Sequence, residues 1–222
     1  MEFPEGRLLV FAKAPVPGRV KTRLISRYGP KGAADLYKAI TRRTLLLLQA
    51  TPLCLVELWC TPDSRHSFFA TCRRDYGVRL RIQRGADLGR RMDHALRNAL
   101  IDCRYAMVIG GDVPSLEVQD LRFALQALAV GQDAVLGPAE DGGYVLIGLR
   151  RPCPSLFEGI DWGGPRVLAA TRRRLERAGL SWAELPLRWD VDRPAEARRL
   201  KRQFSLRSYA LPLSESPNDS VT

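Results

Sequence analysis

Hydrophobic residues along this chain fall into two alternating rhythms, and their alternation predicts the fold class. Apolar runs of strand length open the pattern at 7–12 (Leu8-Leu9-Val10-Phe11-Ala12), 53–60 and 78–83. Between them lie segments with apolar residues at helical spacing. Residues 31–49 carry Ala33, Leu36, Ile40, Thr44 and Leu47 on one face, and 64–76 is closed by Gly77 as a C-cap. The rhythm continues with a helix bearing Met92, Ala95, Leu96, Ala99 and Leu100, a strand from Tyr105, and a helix with Val118, Leu121, Leu125 and Leu128 inward. Strands are expected at 133–138, 145–149 and 181–187, an arginine-rich helix ends near Ala178 with Gly179 as its cap, and a short helix runs to about Gln203. This order predicts a largely parallel sheet with helices on both faces. Residues 1–203 read as one domain, and 204–222 as a loosely ordered polar tail.

One stretch organises the rest: Tyr105-Ala-Met-Val-Ile-Gly-Gly-Asp-Val-Pro-Ser-Leu116. A buried strand runs into two glycines, and Asp112 is the first charge after it. Pro114 has no N–H for a ladder and ends the strand. Open α/β sheets bind ligands at the carboxyl ends of such strands, so Asp112 is a candidate site residue. The other reading is a turn aspartate that caps the helix beginning near Glu117.

Composition narrows the function classes. Thirty-five basic residues against 24 acidic give +11, but the arginines are spread along helices, and no RNA-binding or zinc-finger signature accompanies them. Nucleic acid is therefore not expected as the partner. No apolar run approaches the roughly 18 residues of a membrane span. Five cysteines form no C-x-x-C pair, only two histidines occur, and the acidic start has no secretory pattern. The expectation is a protein of the reducing cytoplasm without a zinc site. His66 and His94 read as exposed helix residues.

Four further segments carry candidate chemistry. The loop Lys13-Ala-Pro-Val-Pro-Gly-Arg-Val-Lys-Thr-Arg-Leu24 brings Arg19, Lys21 and Arg23 around Gly18 at a helix start. It is not a P-loop, since Pro15 and Val20 stand where that motif needs glycine, yet cations entering a helix N-terminus suit an anion. A second strand–loop–helix junction runs from Gln83 to Met92 and holds Gly85, Asp87 and Gly89. Ala139-Glu-Asp-Gly-Gly-Tyr144 is either a hairpin turn or a cleft loop presenting Asp141. Asp190 and Asp192 point the same way if extended, and with Asp112 would form an all-oxygen site for Mg²⁺ or Mn²⁺. Alternatively, Asp192 caps the helix that begins at Pro194.

Together, five segments resemble a known family: Phe11 through Leu24, Gln83 through Met92, Gly110-Gly-Asp-Val-Pro-Ser-Leu116, Gly137 through Tyr144, and Asp190-Val-Asp192. The chain resembles the glycosyltransferase-A-like proteins described as arsenosugar biosynthesis glycosyltransferases, relatives of guanylyl- and molybdenum-cofactor nucleotidyltransferases. The resemblance implies a nucleotide-diphospho-sugar transferase fold, an α/β three-layer sandwich with a mixed, mostly parallel central sheet. It implies a phosphate-facing loop with Ala12, Lys13, Gly18 and Arg19 as substrate-binding residues and Lys21 and Arg23 as catalytic cations. Asp112, next to Gly111, corresponds to the metal-binding aspartate, with Asp190 and Asp192 as the further acidic pair. Gly85, Asp87, Leu88 and Gly89 match the loop beside base or ribose, and Asp141, Gly142, Gly143 and Tyr144, with Trp162, the acceptor side. Two departures stand out. Gly111 replaces the usual Thr or Ser before the aspartate, and Gly163-Gly164 replaces Ser-Thr after Trp162.

The expected function is metal-dependent transfer of a glycosyl group from a nucleotide sugar to a small-molecule acceptor, with Asp141 as candidate general base. Two rivals remain open. One is a nucleotidyltransferase that joins an NTP to a phosphorylated small molecule and releases pyrophosphate. The other is a nucleotide-binding protein without turnover.

Overall fold

The computed structural model describes residues 1–205; the expected loose tail lies, beyond Ser205, outside the described residues. Among these residues seven strands form one sheet: β1 (Gly6–Lys13), β2 (Leu55–Thr61), β3 (Arg79–Ile82), β4 (Tyr105–Gly110), β5 (Ala134–Pro138), β6 (Tyr144–Leu149) and β7 (Trp182–Glu184). Their spatial order is β3-β2-β1-β4-β6-β5-β7, with β6 antiparallel to both β4 and β5 and every other pairing parallel. The mixed, mostly parallel sheet is the predicted one. Its antiparallel member arises because β5 and β6 are joined by a short turn, which can only reverse the chain. The 139–144 segment is therefore a hairpin connection and also a wall of the cleft described below.

Among the described residues, six α-helices cover the sheet: α1 (Ile25–Ala50), α2 (Ser67–Tyr76), α3 (Leu88–Ala99), α4 (Val118–Ala129), α5 (Val167–Arg177) and α6 (Pro194–Ser205). Period-2 alternation along the strands decides which helices meet which face. Leu8, Val10, Met107 and Ile109 pack with Leu45, Phe69, Leu121 and Leu125 from α1, α2 and α4. Leu9, Trp59, Ala106, Val108 and Ile147 pack with Met92, Leu96, Leu168 and Leu175 from α3 and α5. These strands are buried on both faces, which is why they read as continuous apolar runs.

Helix ends follow the expected chemistry. Gly77 and Gly179 adopt left-handed backbones after α2 and α5, as C-caps do. His66 turns out to be the half-buried N-cap of α2, its Nδ1 accepting the Phe68 N–H at 3.1 Å, and not the exposed helix residue expected. His94 is half-buried, edge-on to Trp59 with its Nδ1 unpartnered, because α3 lies flat on the sheet there. Glu117 and Asp120 form the capping box of α4, so Asp112 is released from that task.

A third, smaller core lies at one end of α1. Leu24, Leu36 and Ile40 enclose Trp189, Val191, Ala197 and Leu200. It pins the segment following β7 against α1 and α6, and this contact brings the late aspartates to the site.

Candidate active site

The carboxyl ends of β1 and β4 open into a cleft of about 370 Å³, within the range of small-molecule sites. Ala12 and Lys13 from β1, Asp112 after β4, Leu88 from α3, Tyr144 from β6, Trp162 and Asp190 line it. Asp141 and Gly143 form the rim on the hairpin side. A second hollow, lined among others by Arg23, Glu140, Trp189, Asp192 and Glu196, adjoins the first through Asp141, Gly163 and Asp190.

Electrostatics converge on Lys21. Its side chain is only 6% exposed, and Nζ lies 2.6 Å from Asp112 Oδ2 and 3.9 Å from Asp192 Oδ1. Burial works against its charge, but Asp112, then Asp190 and Asp192, outweigh that and hold its pKa above the ordinary lysine value. Arg23 donates to Asp192 Oδ2. Asp190 is in the opposite condition: burial pushes its carboxyl up to about 6 against the pull of Lys21, and the neighbouring Asp112, Asp192 and Asp141 add to the rise.

Alternation explains why the late acids reach this point. Trp189 and Val191 are buried in the small core, so Asp190 and Asp192 must face the other way, toward Lys21. The segment is held from two more directions. The Ser115 hydroxyl donates to the Trp189 carbonyl and accepts the Trp189 N–H at 2.9 Å. Arg188 Nε donates to Asp120 at 2.8 Å. Ser115 thereby ties the loop of Asp112 to the segment after β7 that carries Asp190.

Other expected site residues are placed in different surroundings. Gly18 and Arg19 are exposed in the 14–21 loop and are not among the residues lining the cleft. Asp87 Oδ1 accepts the Arg90 N–H at 2.8 Å as the N-cap of α3, and Gly85 lies in the turn before it. Gly89 is buried beneath Trp162, and a Cβ there would sit 2.3 Å from the indole ring. Gly142 has φ +86°, and a Cβ would meet the Pro165 carbonyl oxygen at 2.0 Å. It docks the hairpin on the start of α5, where Leu168 N–H donates to the Gly142 carbonyl at 3.0 Å. At Gly111 a Cβ would lie 3.0 Å from the Phe11 carbonyl oxygen, and the Thr44 hydroxyl stands 3.2 Å from the Gly111 carbonyl. The space a Thr or Ser side chain would need is taken up by β1, while α1 supplies a hydroxyl from the other side.

Two residues of the cleft are not singled out by the sequence. Tyr37 accepts the Lys13 N–H at 2.8 Å, and burial, then the charge of Asp112, keep its phenol from ionising. On the apolar face of α1 it is indistinguishable from a core aromatic. Gln83 donates to the Trp59 carbonyl at 2.7 Å beneath the cleft; its one signal is a polar residue directly after a strand. The phenol of Tyr144 is buried at the base of α5 next to Thr171 and is likewise held neutral, first by burial.

Asp112, Asp190 and Asp192 offer hard carboxylate oxygens, the donor type that Mg²⁺ and Mn²⁺ prefer. Among the described residues no three His, Cys, Asp or Glu side chains are close enough to enclose an ion by themselves. Asp112 and Asp190 fit the role of Mg²⁺ ligands in sites where substrate phosphates and water complete the shell.

Architecture and cleft together define the nucleotide-diphospho-sugar transferase fold. The chain belongs to the family described as an uncharacterized protein conserved in bacteria (DUF2064), which matches residues 44–164. It is similar to a candidate nucleotide-diphospho-sugar transferase from Desulfovibrio desulfuricans G20, with 33% identity over 92% of this chain and 90% of the other, at a TM-score of 0.82. The same fold recurs in 4-diphosphocytidyl-2C-methyl-D-erythritol synthase from Anaerococcus prevotii, at 8% identity over 91% and 99% of the two chains and a TM-score of 0.60. It recurs too in the inositol-1-phosphate CTP transferase of T. maritima, at 13% identity over 94% and 98% and a TM-score of 0.52. No curated protein matches the sequence. No helix among the described residues is long and apolar enough to cross a membrane.

Proposed function

We propose that the protein transfers a glycosyl group from a nucleotide sugar to a small acceptor, with Mg²⁺ or Mn²⁺ as its metal. The observation that carries this reading is the meeting of one buried lysine with aspartates from remote segments, of which Asp112 and Asp190 line a nucleotide-sized cleft. Lys21 and Arg23 are the cations available to a diphosphate leaving group. Charges already in place need no reorganisation as negative charge grows, and this is usually the largest catalytic contribution. Asp112 and Asp190 would hold the metal, which when bound neutralises phosphate charge. Asp141 is the acceptor-side base: its Oδ1 accepts the Gly143 N–H at 2.9 Å, which orients the carboxylate and leaves Oδ2 to take a hydroxyl proton. Leu88, Tyr144 and Trp162 supply apolar walls that keep water from the donor sugar.

The same groups would serve nucleotidyl transfer, and the fold is shared with an enzyme that uses CTP by name. Product analysis separates the two. With nucleotide sugars, NTPs and an acceptor panel in the presence of Mg²⁺ or Mn²⁺, glycosyl transfer releases a nucleoside diphosphate. Pyrophosphate release from an NTP would reassign the reaction to nucleotidyl transfer. Saturable nucleotide binding without either product would leave only a binding protein.

A further inference from the structure

Lys21 is the only non-glycine residue among those described with a positive φ, +47°. Its backbone sits in the left-handed region just before the short 3-10 turn Thr22–Leu24, a conformation that is uncommon for a side-chain-bearing residue. Buried Val20 and Leu24 anchor the loop on either side of it, Val20 against Ala34 and Tyr37, Leu24 in the small core. The result is an ammonium group placed inside the protein with Asp112 and Asp192 within 4 Å. Arg23 covers Asp192 from the solvent side. Of the two carboxylates that fit a divalent ion, Asp112 is thus already engaged by the protein's own lysine.

We infer that Lys21 makes this site discriminate between a free divalent cation and the same cation carried on the phosphates of a nucleotide. The inference rests on the metal-dependent function proposed above. A free ion needs the oxygens that Lys21 now holds and offers the displaced ammonium nothing in return. The ammonium belongs to a side chain only 6% exposed, so it has no water to turn to where it stands. It would become a buried unpaired charge or be expelled to solvent, and either is unfavourable. An ion that arrives on a diphosphate brings anionic oxygens with it, so Lys21 exchanges one anionic partner for another. Residue 21 thereby acts as a specificity determinant, setting what the acidic cluster accepts as well as contributing charge to the reaction.

The test uses Mn²⁺ alone as its first probe, with free ion counted by electron paramagnetic resonance. Lys21→Met should bind lone Mn²⁺ roughly tenfold or more tightly than the wild type, because a competing unit charge next to the ligands is gone. Lys21→Arg, which keeps the charge, should stay near the wild type. Equal affinity of the wild type and Lys21→Met for lone Mn²⁺ overturns the inference and leaves the proposed function standing. Should Lys21→Met fail to fold, the wild type decides alone. Water-proton relaxation with Mn²⁺ premixed with ADP, CDP, GDP or UDP should show at least one nucleotide raising protein-bound Mn²⁺ roughly tenfold or more. A wild type that takes up lone Mn²⁺ as readily as nucleotide-bound Mn²⁺ also overturns it. No Mn²⁺ uptake with any nucleotide sinks the metal-dependent function and this inference together.

Discussion

Replacing Asp190 by asparagine should stabilise the protein at neutral pH while disabling it. The fold raises this carboxyl from its ordinary 3.8 to about 6, chiefly by burial. A raised acid pKa means the native state favours the protonated form. That contribution is fully present below about pH 4, where the unfolded chain is protonated too, and is lost as pH rises through about 6. The rise of about two pKa units at about 1.4 kcal/mol each sets the loss at roughly 3 kcal/mol. Asparagine has nearly the same shape and nothing to ionise, so its stability should be flat across that window where Asp190 is concerned. Urea denaturation of both proteins at intervals from pH 4 to 7.5 isolates the effect, since every other titrating group is common to both. The stability difference should move in favour of Asp190→Asn by up to about 3 kcal/mol between the two ends. Parallel pH profiles would refute the reasoning, and would mean that Asp190 is not buried among like charges. Loss of turnover in the same variant would mark a carboxylate kept at a cost to stability for its chemistry.

Three further outcomes are expected. Asp112→Asn should lower kcat by roughly 100-fold or more with an unchanged circular dichroism spectrum, because it removes a charge matched to Lys21 and to a metal; wild-type turnover would take Asp112 out of the mechanism. Binding of Mn²⁺ in the presence of nucleotide should weaken as pH falls below about 6, since a protonated Asp190 is no longer a ligand, and pH-independent binding from 5 to 8 would exclude that role. Gly142→Ala should cost roughly 2–4 kcal/mol in denaturant unfolding, because its Cβ would enter the Pro165 carbonyl from a left-handed backbone; a neutral result would show that the two loops are not docked as described.

Much of the cleft was visible in the chain because its parts sit where regular structure stops. Asp112 follows an apolar run and two glycines, and Lys21 follows a strand and a loop with no helical or strand period, so both stood out against their neighbours. Tyr37 did not, since a phenol on an apolar helix face has the spacing of core. Asp87, Gly89 and Gly142 stood out through a break in pattern, but the structure gives them packing tasks: one caps α3, and the others make room for Trp162 and Pro165. Motif position cannot separate a glycine that admits a ligand from one that admits a neighbouring loop.

The sequence by itself determined the strands, the helices and the two-sided burial of the sheet, because hydrophobic period is a local property read over a few residues. It also determined that Asp190 and Asp192 share a side, since alternation is fixed by backbone geometry. Which side that is, and what they meet there, was decided by the tertiary structure. Trp189 and Val191 enter a core built from α1 and α6, Ser115 clasps the backbone of Trp189, and Lys21 is left among carboxylates from remote parts of the chain. Charges that far apart in sequence acquire their protonation and their partners only when packing removes the water between them.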